Sequence, residues 1–176
     1  MAIQASQPDN KNFLSPIGFR FSVQKLPHVN YFCTAASVPS MVLGTIDQVE
    51  TPFIKLPIPG DKISFDPLEL NFRIDEDMRN FREIYDWIES IGYPDNFGQR
   101  APFQRPNPKQ AGNTVYSDGS LMVMTNQYKP NIEIKFIDMY PVSLSSVEFN
   151  LEQNDITYLN AQVSFAYRKY ELISVV

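Results

Sequence analysis

One histidine and one cysteine, His28 and Cys33, are all that 176 residues offer of either kind. Counting alone therefore excludes a histidine-dependent triad, a Cys–His nucleophile, a HExxH helix and any Cys/His zinc site. His28 lies between Pro27 and Val29 and reads as a surface turn residue; Cys33 lies in an apolar strand and reads as core. A lone cysteine forms no internal disulfide, which fits assembly in a reducing cytoplasm. Seven scattered glycines supply neither GxGxxG nor a P-loop, so phosphate chemistry is not indicated. No apolar run approaches the roughly 20 residues that span a bilayer, so no membrane insertion is expected. The N-terminal MAIQASQPDNKNF has neither the basic region nor the apolar core of a signal peptide, so export by that route is not expected.

Blocks of like charge are missing too. Net charge is −5 with both signs dispersed, which argues against a nucleic-acid groove of clustered Lys and Arg. Arg100, Arg105 and Lys109 are spread along a proline-rich loop and read as solvated. Asp75, Glu76 and Asp77 lack the spacing of a calcium loop and are better explained as helix capping. Glu148 and Glu152 fall on the polar face of an expected strand, where solubility accounts for them. No catalytic constellation and no cofactor is expected.

What is present centres on residues 68–92. Leu68-Glu69-Leu70-Asn71-Phe72-Arg73-Ile74 alternates with period two, the pattern of a strand with one buried face. Met78, Phe81, Ile84, Tyr85, Ile88 and Ile91 then recur at spacings of three and four, giving one helix at about 76–91 with those residues as its packing face. Asp75 or Asp77 is placed to cap its start, and Gly92 to end it in a left-handed C-cap before Pro94. A lone helix lays its apolar face on a sheet.

Elsewhere the reading is of strands. Residues 1–12 form a polar arm, Phe19–Val23 a first strand and Val29–Ala36 a second, the two pairing as a hairpin. Residues 37–61 read as a long connection rich in proline, yet it carries Ile46, Val49, Phe53, Ile54, Leu56 and Ile58. Proline bars it from a sheet centre, and so much apolar surface either folds back onto its own barrel or packs on a neighbour. Ile63–Ile74 is the strand entering the helix, with Pro67 at an edge or bulge. Residues 93–112 read as a surface excursion, followed by a hairpin turning at Asp118-Gly119. Residues 132–136, 147–152 and 159–167 alternate cleanly, with Pro141 and Asn154-Asp155 at their connections. The fold class is mainly β, an antiparallel barrel or sandwich with one flanking helix.

In this order, three segments resemble the tail tube protein family of contractile-tailed bacteriophages. Cys33-Thr34-Ala35-Ala36-Ser37-Val38-Pro39 is similar to the family's Cys-x-Ala-x-x-Leu-Pro. Pro59-Gly60-Asp61-Lys62-Ile63-Ser64-Phe65-Asp66 is similar to its Ala-Gly-Asp stretch, followed by a strand, acidic residues and a helix ending in Asp86-Trp87. Ile132-Glu133-Ile134-Lys135-Phe136 with Tyr140-Pro141 resembles its closing strands. The arm and the 93–131 loop and hairpin insertion depart from the plainest pattern.

The resemblance implies one tail-tube domain over 1–176, a virion protein assembled in the host cytoplasm. Its homo-hexameric rings stack into the inner tube of a contractile tail, with tape measure protein and genomic DNA in the lumen without sequence-specific binding. Tail sheath, baseplate and tail terminator proteins are the implied partners. Ile46, Val49, Phe53, Ile54, Leu56 and Ile58 become the expected interface between subunits or rings, and a lumen of net acid would repel phosphates. A single-ring baseplate initiator or completion protein of the same fold stands beside the repeating subunit. A third reading is a monomeric ligand-binding barrel using aromatics such as Tyr116 and Tyr128.

Overall fold

A computed structural model describes residues 11–48, 56–92, 115–150 and 157–175. In chain order these form β1 Phe19–Val23, α1 Pro27–Phe32, β2 Cys33–Ala36, β3 Met41–Gln48, β4 Leu56–Phe65, β5 Leu68–Arg73, α2 Arg79–Gly92, β6 Ser117–Met124, β7 Pro130–Leu144, β8 Asn160–Ala166 and β9 Lys169–Ser174. All pairings are antiparallel. The architecture is mainly β and sandwich-like, and it is not a closed barrel.

The long strand β7 belongs to both layers. Its first half lies between β6 and β9, with β1 beyond β6. Its second half pairs with β8, followed by β5 and then β2. The change of layer falls where β8 gives way to β9. There Asp138 takes a positive φ of 55° and binds Arg168 at 2.8 Å, while the Arg168 N–H donates to the Ile137 carbonyl at 3.0 Å. The two inner faces then meet. Phe21, Val23, Leu121, Ile134, Phe136 and Met139 of one layer share a core with Leu68, Leu70, Phe72, Ala161, Val163 and Phe165 of the other. Each of these buried side chains larger than Ala161 stabilises by about 1.5–3 kcal/mol.

Several expectations are corrected. Residues 27–32 are helical, so the fold has a second, short helix among the described residues, with Pro27 at its first turn. β1 and β2 are not a hairpin: β1 pairs with β6, and β2 with β5. The 63–74 stretch is two strands, broken at Asp66-Pro67, and β5 is an inner strand between β8 and β2. Pro141 sits within β7 opposite Phe165, beside a bulge that removes the need for its missing N–H. Residues 145–150 are not strand, while Leu151, Glu152, Asn154 and Asp155 lie outside the described residues.

Asp118-Gly119 is likewise no turn but part of β6. The real reversal is Thr125–Lys129, closed by the Thr125 N–H to the Lys129 carbonyl at 2.8 Å, with Tyr128 at φ 59°. Gly119 is needed for space: a Cβ there would stand 2.9 Å from Met139 Cε and 3.2 Å from Val23 Cγ2. Alanine is the milder change, because the Met139 methyl can swing. Gly119→Val is expected to destabilise by about 1–3 kcal/mol, lowering the urea midpoint at constant m-value.

Helix α2 is entered as expected and keeps most of its expected face, with Phe81, Ile84, Ile88 and Ile91 on the core. Asp75 Oδ1 accepts the Asn80 N–H at 3.3 Å, whereas Asp77 pairs with Arg79 at 2.9 Å. Met78 precedes the helix with φ 53°, and Gly92 ends it without a left-handed conformation. The buried positions are Asn80, Ile84, Trp87 and Ser90; Phe81, Ile88 and Ile91 pack at the core margin, and Tyr85 is 53% exposed. Tyr85 therefore leaves the expected packing face and Trp87 enters it.

Candidate functional site

The feature the core does not explain is the pair β3–β4. Among the described residues these strands pair only with each other, as a separate two-stranded sheet. Such a hairpin is marginal in water without something to lie against. Met41, Val42, Leu43, Ile46, Ile58 and Ile63 are all exposed on it, Ile46 at 62%. This much exposed apolar surface on one projection marks an interaction site.

The root of the hairpin is built firmly. Phe65 stacks edge-on against Tyr170 at 5.3 Å and lies 5.9 Å from the Tyr167 ring. The Tyr167 hydroxyl donates to the Asp66 carbonyl at 2.8 Å, and Ser40 Oγ binds the Asp66 carboxylate. Burial, then the neighbouring Tyr170 and Asp66, push the Tyr167 phenol up to about 12. Its raised value means that the protonated donor is favoured on folding. That contribution is full below the ordinary value of 10 and is lost as pH rises through about 12.

Midway the hairpin bends. Leu43 faces Ile63 but Thr45 faces Pro59, so residues 60–62 oppose Gly44 alone. A Cβ on Gly60 would stand 2.6 Å from the Gly44 carbonyl oxygen, so only glycine permits this crossing of the two backbones. Beyond it, Ile46 lies directly opposite Ile58.

Of the six expected interface residues, Ile46 and Ile58 stand exposed on the outer half of the hairpin. Leu56 begins β4, and Val49, Phe53 and Ile54 lie outside the described residues. Met41, Val42, Leu43 and Ile63 join them at the site. Their signal was the apolar run Met41-Val42-Leu43 before Gly44 and the alternation Lys62-Ile63-Ser64-Phe65 after Gly60.

The remaining candidates do not converge. Tyr116 stacks on Tyr140 at 5.4 Å, while the exposed Tyr128 belongs to the 125–129 turn. His28 contacts Glu83, tying α1 to α2. Burial pushes the Cys33 thiol up to about 11, against a smaller lowering by the Ala35 backbone, so it is a poor nucleophile. Among the described residues no cluster of three metal-ligating side chains occurs, and no helix is long and apolar enough to cross a membrane.

Residues 3–173 match the phage tail tube protein family. The chain belongs to that family. It is a family of structural tube proteins, not of enzymes. No curated protein matches this tail tube protein in sequence. Its fold is shared with the tube-terminating cap of the anti-feeding prophage, at 15% identity and TM-score 0.66 over 99% of this chain and 100% of that one. It is shared too with a chain of the PVC extracellular contractile injection system's sheath-tube complex in the extended state, at 15% identity and TM-score 0.61 over 94% of each. A chain of that system's sheath/tube terminator gives 17% identity and TM-score 0.60, over 93% of this chain and 99% of that one.

Proposed function

We propose that this tail tube protein forms hexameric rings that stack into the inner tube of a contractile tail, through which DNA leaves. The carrying observation is the β3–β4 hairpin, apolar and exposed, rooted on β9 at Phe65 but paired, among the described residues, with no other strand. A partner that covers it stabilises both, and in a family of tube proteins the nearest partner is a copy of itself. Surfaces that differ on the two partners let such contacts repeat without limit. Ile46, Val49, Phe53, Ile54, Leu56 and Ile58 remain the proposed interface.

The lumen needs a polar, non-adhesive wall. Arg20, Ser22, Ser120, Glu133 and Lys135 stand on the β1–β6–β7 face opposite the core, with Ser22 and Ser120 hydroxyls bonded at 2.9 Å. The overall charge of −5 disfavours non-specific adhesion of DNA to the subunit as a whole, while Arg20 and Lys135 against Glu133 leave this face itself without net acid. Sheath, baseplate, terminator and tape measure proteins are the partners this role requires.

A role confined to one ring is the second reading, favoured by a fold shared with a cap protein over the full length of both chains. Negative-stain electron microscopy over a concentration series, with light scattering for mass, decides. Six-fold rings that lengthen into tubes support the repeating subunit, and rings that never stack support the single-ring role. A monomer at every concentration removes both.

A further inference from the structure

At the other end of the molecule lies a surface that the core does not explain either. A groove of about 560 Å³ runs between the segment Asn12–Leu14 and the turn Thr125–Lys129, with Ile132 in its wall. The Asn126 side-chain amide donates to the Phe13 carbonyl at 3.2 Å and so fixes the groove's rim. That rim turns outward large apolar residues: Phe13 is 92% exposed, with Leu14 and Ile17 beside it. A second hollow, lined by Ile17, Gly18 and Tyr128, adjoins through Thr125 and Asn126.

The positions of groove and hairpin are related through β9. Phe65 roots the hairpin on Tyr170, at the start of β9. At its end, the Val175 N–H donates to the carbonyl of Asn131, which lines the groove. Five residues of strand put about 17 Å between root and groove. The two surfaces thus differ from each other and are separated, as a head-to-tail contact demands.

Their chemistry is complementary. Pro57 and Pro59 remove backbone donors from β4, so β3 carries the fuller set of donors on an edge that is unpaired among the described residues. The groove supplies amide side chains, Asn126, Gln127 and Asn131, each both donor and acceptor. The rim supplies Phe13 and Leu14, and the hairpin supplies Ile46 and Ile58 on one face. We propose that this groove receives the β3–β4 hairpin of a second copy, the β3 edge on its amides and Ile46 with Ile58 on Phe13 and Leu14. The inference rests on the tube reading and names the receiving surface for it.

Two pairs of substitutions test it in the full chain. Leu14→Glu and Ile58→Lys are each expected to raise the concentration needed for tubes by about tenfold or more, and the two together to restore assembly. In a Cys33→Ser background, Leu14→Cys with Ile58→Cys is expected to give a disulfide ladder between copies on non-reducing gels, absent from either single cysteine. Tubes of Leu14→Glu at the wild-type concentration, or cysteine-pair tubes without a ladder, overturn the groove while leaving the tube reading intact. If the cysteine pair itself stops assembly, the charge pair decides. A wild-type chain that never assembles overturns both together.

Discussion

Replacing Trp87 with alanine is expected to cost the fold about 3–5 kcal/mol, a large part of the 5–15 kcal/mol that a domain commonly has. The side chain is fully buried between α2 and the sheets, 6.0 Å from the Phe165 ring, with Lys25 Nζ 5.0 Å above its own ring. Its indole N–H donates to the Val115 carbonyl at 2.9 Å, so Trp87 also fastens the start of β6 to the helix. Alanine leaves a cavity and an unmatched acceptor together. Trp87→Phe keeps most of the volume but not the donor, and should cost about 1–3 kcal/mol. Thermal unfolding followed by circular dichroism checks both. At about 2–4 °C per kcal/mol for a chain of this size, alanine should lower Tm by roughly 6–20 °C, and an unchanged Tm would contradict the packing described.

The opposite behaviour is expected of the hairpin. Ile46→Asp with Ile63→Asp places two carboxylates where 62% and 55% of the native side chains already meet water. Monomer stability should therefore hold within about 0.5 kcal/mol per site. Assembly should not. Losing the burial of the exposed part of two isoleucines removes about 2–3.5 kcal/mol from each contact, before any cost of desolvating the carboxylates. At about 1.4 kcal/mol per decade, the concentration needed for rings or tubes should rise by about 30- to 300-fold or more. Sedimentation of polymer from a dilution series measures it, with circular dichroism confirming the monomer. Polymerisation at the wild-type concentration would show that these residues face solvent in the assembly too.

Which elements the sequence revealed depended on how strongly each pattern excluded its alternatives. Leu68–Arg73 alternates without a break and is β5; the three-and-four spacing of residues 78–91 could only be a helix. The expected face held at Phe81, Ile84, Ile88 and Ile91 but was turned slightly, because two polar residues lie on its buried side. Asn80 is tolerated there because its amide donates to the Arg73 carbonyl at 2.6 Å while its oxygen accepts the Phe81 N–H at 2.8 Å. Ser90 is tolerated because its hydroxyl donates back to the Trp87 carbonyl at 2.7 Å. A stripe drawn through Met78, Phe81 and Tyr85 lies turned from the buried line of Asn80, Ile84, Trp87 and Ser90.

The short helix α1 covers six residues, too few for a period to show. Asp118-Gly119 carries a strong turn signal, but its glycine answers the bulk of Met139 and Val23 and not a need for positive φ. For the candidate site, the apolar residues and their need for cover were readable. The strands were not, because proline counts against a sheet only where every edge is paired. In a two-stranded sheet each strand keeps one free edge, and Pro57 and Pro59 cost little there.

The layout of the two layers also sets a timetable. Ser22 and Ser120, which meet across β1 and β6, are 98 residues apart, and Tyr167 reaches Asp66 across 101. Neither layer can close until the last strands, β8 and β9, have been made and have found β7. Sheets with such distant pairings fold in milliseconds to seconds, whereas a hairpin closes in about 1–10 μs. β3 and β4 are neighbours in sequence and are synthesised early. The adhesive arm of the subunit can therefore form before the body that carries it, and in that interval its contacts with other chains are least selective.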